Sequence, residues 1–176
     1  MLFRSLPILF PELISAQQYP ATIDSMQAQA SQLKDQLQAL AKQIENEKSI
    51  FWAQSLQSIG LPAANSKDTV VHHALYSLLY NEQHEQAAWV AHVIAPEVRY
   101  GNAGRSNDFR PDPLVKSGTC TDRDYFIHDT LPDGSFKYQG FGFDRGHLAP
   151  SADFRWSAKA LSESFYYSNM SDRKST

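Results

Sequence analysis

The sequence predicts an α+β domain carried behind a long N-terminal helix, and three observations predict it. Apolar side chains recur at alternating spacings of three and four across residues 21–59. Two β-prone runs, 70–80 and 87–94, flank a short polar loop. A helix-like stretch, 156–165, then follows a knot of acid, guanidinium and imidazole at 144–147. With 176 residues, 42% hydrophobic and 20% charged, the chain can build one compact domain plus an appendage, and its composition excludes a collagen-like or wholly disordered class.

The first residues, Met1-Leu2-Phe3-Arg4, precede apolar runs at 6–10 and 13–14 and then Ser15-Ala16-Gln17. This resembles a short secretory signal over residues 1–16, so a secreted or periplasmic protein is expected, although Pro7, Pro11 and Glu12 interrupt the apolar part. No other segment is long enough to span a membrane.

Ile23, Met26, Ala30, Leu33, Leu37, Leu40, Ile44, Glu47 and Phe51 then form a heptad seam with one polar position. A seam of this kind predicts a coiled coil over residues 21–59 and a homo-oligomer held through it. The alternative is an amphipathic helix lying on its own domain. Gly60, Pro62 and the small polar residues after them predict a linker at 60–66, leaving 67–176 as the folded domain.

Residues 70–80 and 87–94 are expected to be two strands joined by the polar loop 81–86. Asp133-Gly134, set between aromatic flanks in 125–138, predicts a hairpin turn. Cys120 is the only cysteine, which excludes an internal disulfide and a Cys₂His₂ zinc site and leaves a small buried thiol as the expectation. His72, His73, His84, His92 and His128 show no metal-ligand spacing. The net charge is −3, and residues 99–155 carry eight basic and eight acidic side chains, so any polyanion would be held by placed arginines and not by a basic field.

Asp144-Arg145-Gly146-His147 is the stretch best suited to chemistry. An imidazole titrates near neutrality and can take a proton from water, and a guanidinium offers a fixed fork of donors that fits phosphate oxygens. Gly146 permits a sharp turn or a close approach before the histidine. Alone, the tetrapeptide is equally a surface turn at the end of a strand.

The residues around it extend the pattern. Leu148-Ala149-Pro150, Ala152-Asp153-Phe154, the run 156–165 and Tyr167-Ser168-Asn169-Met170 resemble the DRGH signature of the DNA/RNA non-specific endonucleases. That family includes mitochondrial endonuclease G and secreted bacterial nucleases and belongs to the ββα-metal (His-Me finger) group. The resemblance runs unbroken over residues 142–169. It implies a one-metal phosphodiesterase acting on DNA and RNA with Mg²⁺ (or Mn²⁺), in which His147 is the general base and Arg145 sits beside it. Asp144 and Gly146 would shape the turn. Arg105, in Gly104-Arg105-Ser106-Asn107-Asp108-Phe109-Arg110, matches the arginine that reaches the scissile phosphate, with a solvated loop arginine as the plain alternative and Arg110 as second choice. Asn169 matches the family's first asparagine, which supports the substrate site.

The pattern departs from the family after Ser171. The asparagine that would hold the metal falls beyond Thr176, so no metal ligand is assigned, and the chain is expected to be C-terminally incomplete. Leu161, Phe165 and Tyr166 would then lack cover. This departure keeps a second function in play: an impaired nuclease-like protein that serves as a binding or coiled-coil assembly module.

Overall fold

A computed structural model describes residues 20–65 and 69–174; the expected leader, 1–16, lies outside them. The chain divides into two compact units, Met1–Lys42 and Gln43–Thr176, and the first helix, α1 (Ala21–Ile59), contributes to both. Its bounds coincide with the expected helix. Gly60 ends it at φ +100°, a left-handed conformation that costs glycine little, and its N–H reaches back to the Leu56 carbonyl at 3.3 Å.

In the first unit the seam residues Met26, Leu33, Leu37 and Leu40 are exposed. In the second unit a different stripe of α1 is engaged. Trp52 packs on the main core and Leu56 is buried, while the seam position Phe51 stays exposed. Two polar contacts accompany this docking: Ser157 Oγ donates to Glu45 Oε1 at 2.9 Å, and Lys48 pairs with Glu97 at 3.2 Å.

The predicted pair of strands is three. β1 (Val70–His72), β2 (Tyr76–Asn81) and β3 (Gln86–His92) form an antiparallel sheet in that order, so the run 70–80 is broken at His73. Distant partners break it: His73 Nε2 bonds Asp112 Oδ2 at 2.8 Å, and the Ala74 N–H donates to Glu163 Oε2 at 2.8 Å. β2 is the central strand, buried from Tyr76 to Tyr80. Asn81 Oδ1 accepts from the N–H groups of Gln83 and His84 and so forms the turn into β3.

β4 (Phe126–Thr130) and β5 (Phe136–Phe141) make the predicted hairpin, with Gly134 at φ +80° in its turn. β6 (Phe143–His147) pairs antiparallel with β7 (Met170–Lys174). Between them, the expected helix over 156–165 is only α2 (Ala158–Glu163), flanked by 3₁₀ turns at Ser151–Phe154 and Tyr167–Asn169. Ser157 caps its start by accepting from the Ala160 N–H, and Asn169 captures the Ser164 carbonyl at its end. Leu161 and Phe165, expected to lack cover, are buried with Tyr76, Leu78 and Phe154. Cys120 is buried in a smaller cluster with Tyr125, Tyr167 and Met170.

Candidate active site

The DRGH residues form a strand, not a turn. Asp144 pairs with Arg173, Gly146 with Ser171 and His147 with Met170, so the expected turn-shaping roles of Asp144 and Gly146 are replaced by extended pairing with β7. Alternation along β6 puts Arg145 and His147 on one face and Asp144 on the other. Sequence reasoning missed the strand because its partner begins more than twenty residues later.

Past His147 the chain is held by one side chain. Asn169 accepts from the Ala149 N–H at 2.8 Å and donates to the carbonyls of Ala149 at 3.0 Å and Ser164 at 2.8 Å. The Leu148 N–H also reaches the Asn169 carbonyl at 2.9 Å. Asn169 is fully buried. The expectation that it touches substrate is therefore corrected: its amide braces the backbone that follows the histidine.

His147 itself lies between two aromatic rings. Its imidazole meets Phe165 edge-on at 4.8 Å and Phe109 at 6.0 Å, and the two phenyl rings meet each other at 4.9 Å. Each ring also carries a guanidinium. Arg105 Cζ stands 5.2 Å from the Phe165 centroid, and Arg145 Cζ stands 3.8 Å from the Phe109 centroid. His147, Arg105 and Arg145, distant in sequence or identified only by resemblance, thus converge through Phe109 and Phe165.

The two arginines differ in their engagement. Arg105 is exposed, and its Nε donates to Asn107 Oδ1 at 2.6 Å. Arg145 is half-buried and donates to Asp122 Oδ1 at 2.7 Å. The Tyr167 hydroxyl donates to the same oxygen. Burial, followed by that bond to Asp122, pushes Tyr167 up to about 12, so it remains a donor at neutral pH. Asp122 and Tyr167 carry no local sequence signal for this role.

Arg110 is committed elsewhere. It pairs with Asp108, donates to the Ser162 carbonyl at 3.1 Å and to Ser162 Oγ at 2.9 Å, and stacks on Tyr166 at 4.1 Å. Burial raises the Asp108 carboxyl, but bonds from Ser106 and Ser162 and the charge of Arg110 outweigh it and hold the group below its ordinary value. Arg110 ties its loop to α2.

A second brace lies beneath the same turn. His73 and Asp112 pair with side chains 1% and 0% exposed, and Ser168 Oγ donates to the same carboxylate oxygen. Leu114 N–H takes the other oxygen at 2.9 Å. Desolvation raises Asp112, yet His73, Ser168 and the backbone bond together keep its carboxyl below the usual range. His92 likewise pairs with Asp153 at 3.0 Å, so these histidines serve acids within the fold.

A cavity of about 580 Å³, lined by Thr69, Val71, Leu79, Tyr80, Leu114 and Lys116 among others, contains none of the site residues. Within the site Arg105 is exposed, Arg145 and His147 are half-buried, and His147 Nε2 is itself buried.

A sequence profile of the DNA/RNA non-specific endonucleases matches residues 53–171. The chain belongs to that family. The match begins within the last turns of α1, where Trp52 and Leu56 dock, so the family's domain includes the helix end. Among relatives of this chain, mitochondrial endonuclease G of Bos taurus is 39% identical over 98 residues, 55% of this chain and 29% of the relative. Nuclease C1 of Cunninghamella echinulata var. echinulata is 36% identical over 100 residues, 54% of this chain and 34% of its own. The chain therefore spans about a third or less of the length of these relatives. A chain in a crystal structure of an EndoG/EndoGI complex superposes with a TM-score of 0.54 at 27% identity, covering 69% of this chain and 45% of that one. The architecture is the α+β, ββα-metal nuclease fold.

Endonucleases of this family depend in general on a divalent metal. Among the described residues there is no group of three or more His, Cys, Asp or Glu that could hold an ion. Nearby oxygens are engaged as well: Asn169 Oδ1 by Ala149, and Asp122 Oδ1 by Arg145 and Tyr167. The described residues alone do not make a metal cage.

Proposed function

We propose that this chain is a metal-dependent endonuclease that hydrolyses phosphodiester bonds of DNA and RNA without sequence preference. One observation carries the reading: His147 and Arg105 meet at the same ring, Phe165, with Arg145 held on the adjoining Phe109. In this mechanism the His147 imidazole takes a proton from the attacking water. Arg105 donates to the scissile phosphate, and Arg145 adds a second fixed positive charge as negative charge grows on the phosphoryl oxygens. Phe109 and Phe165 keep the three groups in register. Mg²⁺ or Mn²⁺ would stabilise charge on the phosphate and leaving oxygen.

Nicking of supercoiled plasmid by the full chain tests the proposal. Mg²⁺-supported, EDTA-sensitive nicking is expected, and His147→Ala should lower its rate by roughly 10²–10⁴-fold with an unchanged melting profile. Equal rates for the parent and a folded His147→Ala chain would remove His147 from the mechanism.

The exposed seam supports a homo-oligomer through residues 21–59. Met26 and Leu37 are 68% and 67% exposed, and a strict heptad row gains burial only against another helix. Sedimentation should give an oligomer, and a monomer at micromolar concentration would rule it out. Export is proposed on residues 1–16 alone, and a mature protein retaining Met1 would contradict it.

A further inference from the structure

Three arginines beside the candidate active site lack the acidic partners that Arg110 and Arg145 have. Arg99, Arg105 and Arg155 are exposed, and none forms an ion pair with a described residue. The acids closest to them in sequence are bonded to other side chains. Glu97 is taken by Lys48 at 3.2 Å, Asp108 by Arg110, and Asp153 by His92 at 3.0 Å. In a chain of net charge −3, this leaves a local excess of positive charge on one strip.

The strip is held together by backbone. Ala103 N–H donates to the Arg155 carbonyl at 3.0 Å, and Arg155 Nε donates back to the Ala103 carbonyl at 3.0 Å. Gly101 makes the close contact possible, since a Cβ there would lie 2.6 Å from the Arg155 carbonyl carbon and the Trp156 nitrogen. Residues 101–103 therefore lie against Arg155. Arg105 is at the end near Phe165 and His147. At the other end are Arg99 and Tyr100, the latter 82% exposed. Five residues of extended chain separate Tyr100 from Arg105, a reach of at most roughly 17 Å. Duplex DNA rises about 3.4 Å per step along its axis, and phosphates along one strand lie roughly twice as far apart as that, so the strip can follow about two or three phosphates.

We propose that Arg105, Arg155 and Arg99 form a phosphate track that leads one nucleic-acid strand away from His147 and ends at Tyr100, where an exposed ring can stack on a base. The track rests on the endonuclease reading and extends it from the scissile phosphate to its neighbours. Phosphate contacts of this kind position a strand without reading its sequence, which fits a non-specific enzyme. The Tyr100 ring suits an unpaired base, because stacking tolerates any base with a free face.

The test uses the full chain carrying His147→Ala, so that the DNA survives, and follows binding of a short duplex by fluorescence anisotropy across a salt series. Arg99→Ala and Arg155→Gln should each reduce the slope of log affinity against log salt by about 0.9, equally for unrelated sequences. Lys34→Ala, the same charge change on α1, should leave the slope unaltered. Tyr100→Ala should weaken a single-stranded oligonucleotide more than the duplex. If the parent binds but the Arg99 and Arg155 slopes do not change, the track is wrong and the endonuclease reading stands. If the parent binds no DNA, and the chain with His147 restored nicks no plasmid, both fall. Should Arg155→Gln lower the melting temperature, Arg99→Ala decides alone, because that exposed side chain makes no hydrogen bond to a described residue.

Discussion

Behind His147, Asn169, Ser168, Asp112 and His73 are sealed from solvent and bonded to one another or to backbone. In front of it, Arg105 stands exposed on the edge of an aromatic pair. Both sets lie around one strand end, yet they answer different physical demands. A buried polar group must be fully partnered, because desolvation is costly when a partner is missing. A group that is to receive a phosphate has to keep donors for it. The contrast predicts that substitutions behind the histidine change stability first, whereas those in front change activity first.

Asp112→Ala should break the back of the site. It strands a buried imidazole and the Ser168 hydroxyl, and a buried polar group left without its partner costs about 1–3 kcal/mol. Urea denaturation measures it. A loss below about 1 kcal/mol would show that Asp112 is no brace, and the distinction between the two sides would collapse.

Arg105→Ala is the counterpart in front. Losing a charge-assisted bond to the scissile phosphate is worth about 1.5–3 kcal/mol, so nicking should slow by roughly ten- to a hundredfold. Stability should fall by no more than about 1 kcal/mol, the scale of an exposed cation–π contact. A stability loss matching that of Asp112→Ala would place Arg105 with the structural set.

How far each side could be seen in the sequence follows the same division. The helix over 21–59 was legible to its bounds because a heptad seam is written locally, and the Asp133-Gly134 hairpin likewise. His147, Arg145 and Arg105 were singled out through a contiguous motif and its family, and the structure brings all three to one aromatic pair. The brace was not. His73 meets Asp112 across 39 residues, Ala74 meets Glu163 across 89, and Arg145 meets Asp122 across 23, and no local period encodes any of these. The same distant bonds cut the run 70–80 into two strands, against the β-propensity of its residues. DRGH looked like a turn because Gly146 permits one; pairing with β7 made it a strand.

Acid should distinguish the two sides more gently than either substitution. The Asp112 carboxyl is held below its ordinary value: burial opposes the charge, but the bonds from His73, Ser168 and Leu114 prevail. A carboxyl whose folded value is depressed binds protons less readily in the folded chain than in the unfolded one. Its contribution is therefore fully present above the unfolded value of about 3.9 and is lost as pH falls through the folded value. Asp112→Asn removes that titration while keeping a side chain able to accept from Ser168. At pH 5 the parent should melt above the Asp112→Asn variant. From about pH 4 downward the margin should shrink, because the parent's carboxylate is being protonated and the variant has none to lose. Arg105→Ala supplies the control from the other side, since it leaves Asp112 in place and its small margin should keep a steady value over the same range. A margin for Asp112→Asn that stays constant to pH 3 would mean that the carboxylate's charge contributes nothing to the brace, and that packing alone holds the turn behind His147.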